Sequence, residues 1–96
     1  MVVTFKASFF KELVKLPTAT QEMVRIVVEE LSKAPTLQAT GLDYTKMEGQ
    51  KKDGNYYRIK IPNYRIGIQY KYPDVVVITI VKRNDMYKVF PPGKRK

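Results

Sequence analysis

Two runs of residues on either side of Pro62-Asn63 limit the fold of this chain more than any other feature. In Tyr56–Ile61, the residues Tyr57, Ile59 and Ile61 alternate with Tyr56, Arg58 and Lys60. In Tyr64–Tyr70, the residues Tyr64, Ile66, Ile68 and Tyr70 alternate with Arg65, Gly67 and Gln69. Strand side chains point alternately to opposite faces, so each run has one apolar and one polar face. If Pro62-Asn63 is a two-residue loop, Ile61 faces Tyr64, Lys60 faces Arg65 and Arg58 faces Gly67. Three cations then share one face, and no acid occurs between Asp53 and Asp74. Proline at the first loop position suits a type I or II turn better than the primed turns of tight hairpins. The register therefore stays open: a bulge would move the pairing, and a one-residue slip would turn one strand over.

The flanking sequence supplies what the apolar face must pack against. Residues 2–6 read as a short strand. From Ser8 the residues Phe9, Phe10, Leu13 and Leu16 recur at helical spacing, with Lys11, Glu12 and Lys15 on the other side, and Pro17 stops the helix. Thr18 opens Thr-x-x-Gln, a capping-box pattern, with Thr20 as a rival cap. A second helix with the stripe Val24, Val27, Val28 and Leu31 runs to about Lys33, where Pro35 closes it. So short a link makes the two helices an antiparallel hairpin. Phe9, Phe10, Val24, Val27 and Leu31 are expected in the core. Residues 43–53 read as a polar loop with room for a short strand at Tyr44–Met47. Val75–Val81 is a β-branched run suited to a strand buried on both faces. Met86–Phe90 is a short terminal element, and residues 91–96 are expected to be a mobile tail. The chain is thus expected to form one α+β domain over residues 1–96, in the order β-α-α-β-β-β, with the helix hairpin on one face of the sheet.

Composition narrows the chemistry. The chain has no cysteine and no histidine. Disulfides, thiolate metal sites and any Ser-His or Cys-His pair are excluded, and no metal or other cofactor is expected. No signal peptide is expected at Met1–Lys6, and no apolar run approaches a membrane span, so the protein is expected in the cytoplasm without a membrane partner. The net charge is +9, and its placement matters more than its size. Residues 1–45 are balanced, with Lys6, Lys11, Lys15, Arg25 and Lys33 against Glu12, Glu22, Glu29, Glu30 and Asp43. From residue 46 onward only Glu48, Asp53, Asp74 and Asp85 oppose all the remaining cations. Such asymmetry points to a polyanionic partner. A single cation of the hairpin is accounted for as a solvated side chain. The joint pattern is harder to explain that way: Lys60 directly opposite Arg65 opposes strand pairing by a few tenths to about 1 kcal/mol, and a facing glycine leaves space. Together they describe an anion site.

With strand, helix pair and basic sheet in place, the chain resembles the RelE/ParE superfamily of toxins from bacterial toxin–antitoxin pairs. The resemblance is carried by FFKELVKLP, by KMEGQKKDGNYYRIKIPNYRIGIQY and by VVVITIVKRNDMYKVFPP, and covers most of the chain. It implies a small α+β domain with a curved, antiparallel-dominated sheet. RelE-like members cut messenger RNA in the ribosomal A site, whereas ParE-like members poison DNA gyrase and lack most of the cationic site. Arg58, Lys60, Arg65, Arg83 and Tyr87 stand where the RelE pattern has its catalytic basic residues and tyrosine, which favours the nuclease. Arg58 replaces the lysine of the best-known pattern, the four-residue spacing from Arg83 to Tyr87 differs from it, and the double proline precludes a long C-terminal helix. The resemblance also implies a cognate antitoxin, which the charge predicts to be acidic and partly helical, and operator DNA bound mainly through the antitoxin complex. A gyrase inhibitor, a non-catalytic basic nucleic-acid-binding module and a toxin with an inactive site are the other readings.

Without histidine or metal, RNA cleavage can use the substrate's own 2′-hydroxyl, with a base for that oxygen, an acid for the leaving 5′-oxygen and cations for the phosphorane. Lys60 is the candidate base, since like-charged neighbours favour the neutral amine. Arg58 and Arg65 suit the phosphorane oxygens, because guanidinium forks match phosphate geometry. Arg83 is placed on the leaving side, and Tyr87 is placed to stack on a base or orient the 2′-hydroxyl. Lys46, Lys51, Lys52, Lys71, Lys82 and Lys88 are candidates for non-specific grip on messenger and ribosomal RNA.

Overall fold

The computed structural model describes residues 1–48 and 54–91. Lys51, Lys52 and the predicted tail from Pro92 onward lie outside the described residues, as does the side chain of Tyr87. The chain runs β1 (Val2–Phe5), α1 (Ala7–Leu13), α2 (Thr18–Lys33), a 3-10 turn, β2 (Tyr44–Lys46), β3 (Tyr56–Ile61), β4 (Tyr64–Lys71), β5 (Asp74–Lys82), a second 3-10 turn (Arg83–Asp85) and α3 (Met86–Val89). The five strands form one sheet in the order β1-β5-β4-β3-β2, parallel only between β1 and β5. The anticipated β-α-α-β-β-β order therefore gains an edge strand, β2, where the sequence leaves room for one.

The hairpin register is the one drawn from alternation: Arg58 pairs with Gly67, Lys60 with Arg65 and Ile61 with Tyr64. Asn63 has φ 66°. A positive φ at the second loop position marks a type II turn, and asparagine tolerates it. Ile59, Ile61, Ile66, Ile68, Val75, Val77 and Ile80 share one core with Phe9, Val24, Val27 and Leu31, so both helices lie on the same face.

Local details depart from expectation. Phe10 is 50% exposed and packs only at the rim, against Phe5 and Phe9. It is not core, because one helical step from Phe9 turns it away from the sheet. α1 ends at Leu13, and the chain tightens through Lys15 N–H to Glu12 O and Leu16 N–H to Leu13 O. Pro17 is itself the N-cap of α2, and neither Thr18 nor Thr20 caps it. Gln21 instead donates its side-chain amide back to Leu16 O at 2.9 Å. At the other end of α2, the Met1 ammonium donates to the carbonyls of Leu31, Ser32 and Ala34. A positive charge there complements the exposed carbonyl ends of the helix.

Glu12 is not on a free outer face. Strand β1 stops at Phe5, while β5 continues to Lys82, leaving an unpaired edge. Ser8 Oγ donates to Ile78 O at 2.9 Å. Glu12 Oε1 accepts from Thr79 Oγ1 at 2.6 Å and from Ile80 N–H at 3.1 Å. Side chains of α1 thus take over hydrogen bonding where β1 ends. They hold β5 at a bulge: Gly67 pairs with Thr79 and Ile68 with Val77, which leaves Ile78 as the extra residue.

Candidate active site

The face of the sheet away from α1 and α2 carries Arg58 and Lys60 on β3 and Arg65 and Gly67 on β4. This follows from the register, since their strand neighbours Ile59, Ile61, Ile66 and Ile68 fill the helix-side core. Lys60 is exposed, and among the described residues it has no carboxylate within ion-pair distance. Arg58 is half-buried.

Arg65 is only 8% exposed. Its Nη1 donates to the carbonyls of Tyr64 at 2.8 Å and Ile61 at 3.0 Å, which bracket the Pro62-Asn63 turn. Carbonyl dipoles orient the guanidinium without cancelling its charge, and among the described residues no carboxylate pairs with it. Such a buried cation is electrostatically incomplete, and an anionic ligand would supply the missing charge.

Arg83 opens the 3-10 turn immediately after β5. Its N–H bonds Asn63 O at 3.2 Å, which ties the strand end to the hairpin turn. Its side chain is exposed. Beside it lies an open cavity of about 220 Å³ lined by Asn63, Tyr64, Lys82, Arg83 and Asn84, a set with two cations and no acid. Tyr87 sits in the single turn of α3, between Met86 and Phe90.

The surface opposite the helices is not an open cationic field. Met47, Met86 and Phe90 form a second buried cluster there, with Tyr56, Ile78 and Val81 packed around it. Gly67 does not leave space for an anion. A Cβ on it would lie 2.9 Å from a carbon of the Phe90 ring and 2.9 Å from Thr79 Cγ2. The notch facing Arg58 is filled by Phe90, and the anion-accessible part of this face lies toward Lys60 and the turn.

Among the described residues, the four lysines expected to grip RNA, Lys46, Lys71, Lys82 and Lys88, do not form one surface. Lys46 pairs with Tyr57 and Lys82 with Tyr64, so both project from the face opposite Lys60 and Arg65. Lys71 shares the face of Arg65 but lies about 20 Å along β4, paired with Asp74. Lys88 meets Asp85 at 3.6 Å. A second groove, of about 250 Å³ and lined chiefly by Phe5, Phe9, Phe10, Leu13, Val24 and Val28, holds none of the predicted site residues. Sequence reasoning missed Glu12 and Phe90. A glycine inside a strand was the available signal for Phe90, because it marks close approach of another group.

No protein-family model matches the chain. It is similar to Toxin RelE3 of Methanocaldococcus jannaschii, 32% identical over 91 residues that cover 95% of this chain and 100% of the relative. Its fold matches a chain of the RelB–RelE antitoxin–toxin complex from Methanococcus jannaschii with a TM-score of 0.75 and 30% identity, over 92% of this chain and 99% of that one. It also matches a chain of the intact RelBE toxin–antitoxin complex of Escherichia coli, with a TM-score of 0.64 and 25% identity over 84% and 94% of the two chains. A small α+β domain with a cationic hairpin beside the end of its longest strand is the class of protein that fold and site define. The chain belongs to the RelE family of toxins.

Proposed function

We propose that this RelE-family toxin cuts messenger RNA on the ribosome and so stops translation. The observation that supports the reading most is Arg65: a buried guanidinium, held by two carbonyls and, among the described residues, by no carboxylate, directly across the strand pair from exposed Lys60. Stability alone would select against both features.

In the proposed reaction the 2′-oxygen attacks the adjacent phosphorus and loses its proton to the Lys60 amine. The bond from phosphorus to the 5′-oxygen breaks, leaving a 2′,3′-cyclic phosphate and, once the 5′-oxygen takes up a proton, a free 5′-hydroxyl. Arg65 holds the phosphorane oxygens, with Arg83 on the leaving side, and Arg58, beside the notch that Phe90 fills, adds positive charge behind them. Tyr87 orients the sugar or stacks on a base. An arginine is a poor proton donor, and a lysine side chain in water is almost always already protonated near neutral pH. Such a set acts when the RNA is already bent for in-line attack, which makes the ribosome a required partner. The two related solved structures named above are complexes of toxin and antitoxin. A cognate acidic antitoxin is proposed here as the neutralising partner, with operator DNA bound through that complex.

The test is to express the chain under tight control and map the 5′ ends of cellular messages. Cuts inside translated codons that vanish with Lys60→Ala are expected. Intact messages with gyrase-linked DNA breaks would replace the reading with a gyrase poison.

A further inference from the structure

Phe90 is fully buried, 1% exposed, yet it lies on the cationic face rather than in the main core. Its ring fills the notch over Gly67 and meets Tyr56 edge-on, at 5.4 Å between centroids. Its N–H bonds Met86 O at 2.9 Å and closes the single turn that carries Tyr87. Met86, the residue before Tyr87, is fully buried in the same cluster. The backbone around Tyr87 is therefore pinned at both ends, by two apolar side chains seated on the strands that carry Arg58 and Arg65. A four-residue helix has too few internal hydrogen bonds to hold its own position.

We propose that Phe90 is a positioning residue of the RNA site and that residue 67 is glycine to receive its ring. The pair locks the turn bearing Tyr87 onto the cationic face. The inference rests on the nuclease reading. The opposite role, a lid that must leave before RNA binds, fits poorly with a ring so fully enclosed.

The experiment uses the purified full chain with programmed ribosomes and follows single-turnover cleavage together with amide hydrogen exchange. Gly67→Ala is expected to slow cleavage at saturating toxin roughly ten- to a hundredfold, the scale of a small misplacement. The toxin concentration at half-maximal rate should stay unchanged. The Phe90 amide should lose protection while Ile59 and Ile66 keep theirs, which separates an unlocked turn from an unfolded sheet. Phe90→Ala should match this loss, and Phe90→Leu should restore most of the rate. In a Phe90→Ala, Thr79→Ser background all three carbons that crowd the added methyl, two of the Phe90 ring and the Thr79 Cγ2, are gone, and the hydroxyl at position 79 on Glu12 is kept. There Gly67→Ala should cost nothing further. An equal loss in that background would mean that Gly67 makes room for the substrate itself, and would overturn the proposal. Cleavage by Phe90→Ala as fast as by the unaltered chain, or faster, would also overturn it. If the unaltered chain does not cut at all, the nuclease reading fails and the positioning role fails with it. The exchange data then still report whether Gly67 and Phe90 lock the turn.

Discussion

Lys60 and Arg65 sit where a sheet built for stability would carry neither. Their positions follow from alternation and a two-residue turn, both local properties of the chain, so this part of the site is legible in the sequence. The burial of Arg65 is not. It depends on two carbonyls at the turn, and strand periodicity reports only which face a side chain leaves from. Both residues carry a prediction. Lys60→Thr removes a cross-strand repulsion and should stabilise the fold by a few tenths to about 1 kcal/mol, a rise of up to roughly 4–8 °C in melting temperature, while abolishing cleavage. Arg65→Met removes a buried, unneutralised cation and should leave the melting temperature unchanged or higher, again without activity. A large loss of stability in either variant would identify a structural residue rather than one retained for its charge.

At the scale of elements, the candidate site draws on segments that are distant in sequence. β5 leads directly into Arg83, and its bulge is held by Glu12 from α1. Helical spacing places Glu12 on the outside of α1, because it says nothing about where β1 stops. The unpaired edge of β5 turns an outward carboxylate into a hydrogen-bond acceptor for the strand. Glu12→Ala leaves the Ile80 N–H and the Thr79 hydroxyl without that acceptor. It should cost about 1.5–3 kcal/mol, the range for hydrogen bonds to a charged group, as read by chemical denaturation. Glu12→Gln keeps an acceptor oxygen and should recover part of the loss. An equal loss in both variants would show that the carboxylate charge, not the acceptor, holds the bulge. The Phe90 cluster is illegible in the sequence for a similar reason. A glycine in a strand announces a close neighbour but not which one, and here the neighbour comes from beyond β5.

Across the whole molecule, the cations of the second half that lie among the described residues do not gather into one surface. Lys46 and Lys82 leave by the face opposite Lys60, Lys71 lies at the far end of β4, and Lys88 is paired with Asp85. Ribosome affinity should therefore depend on fewer phosphate contacts than the net charge of +9 implies. A titration of binding against salt should give a shallow slope, with Lys60→Ala reducing it by about one. A slope that matches the full charge would mean that both faces grip RNA. No helix among the described residues is long and apolar enough to cross a membrane.

The central claim is chemical: the pair Lys60 and Arg65 serves an attack by the RNA's own 2′-hydroxyl. The most direct measurement is the chemistry of the cut ends, made with purified chain, programmed ribosomes and a defined message. A 2′,3′-cyclic phosphate upstream and a 5′-hydroxyl downstream, both absent when a 2′-deoxy nucleotide stands at the cleavage position, are the predicted result. Cleavage that leaves a 5′-phosphate, or that proceeds unchanged past the deoxy substitution, would contradict it.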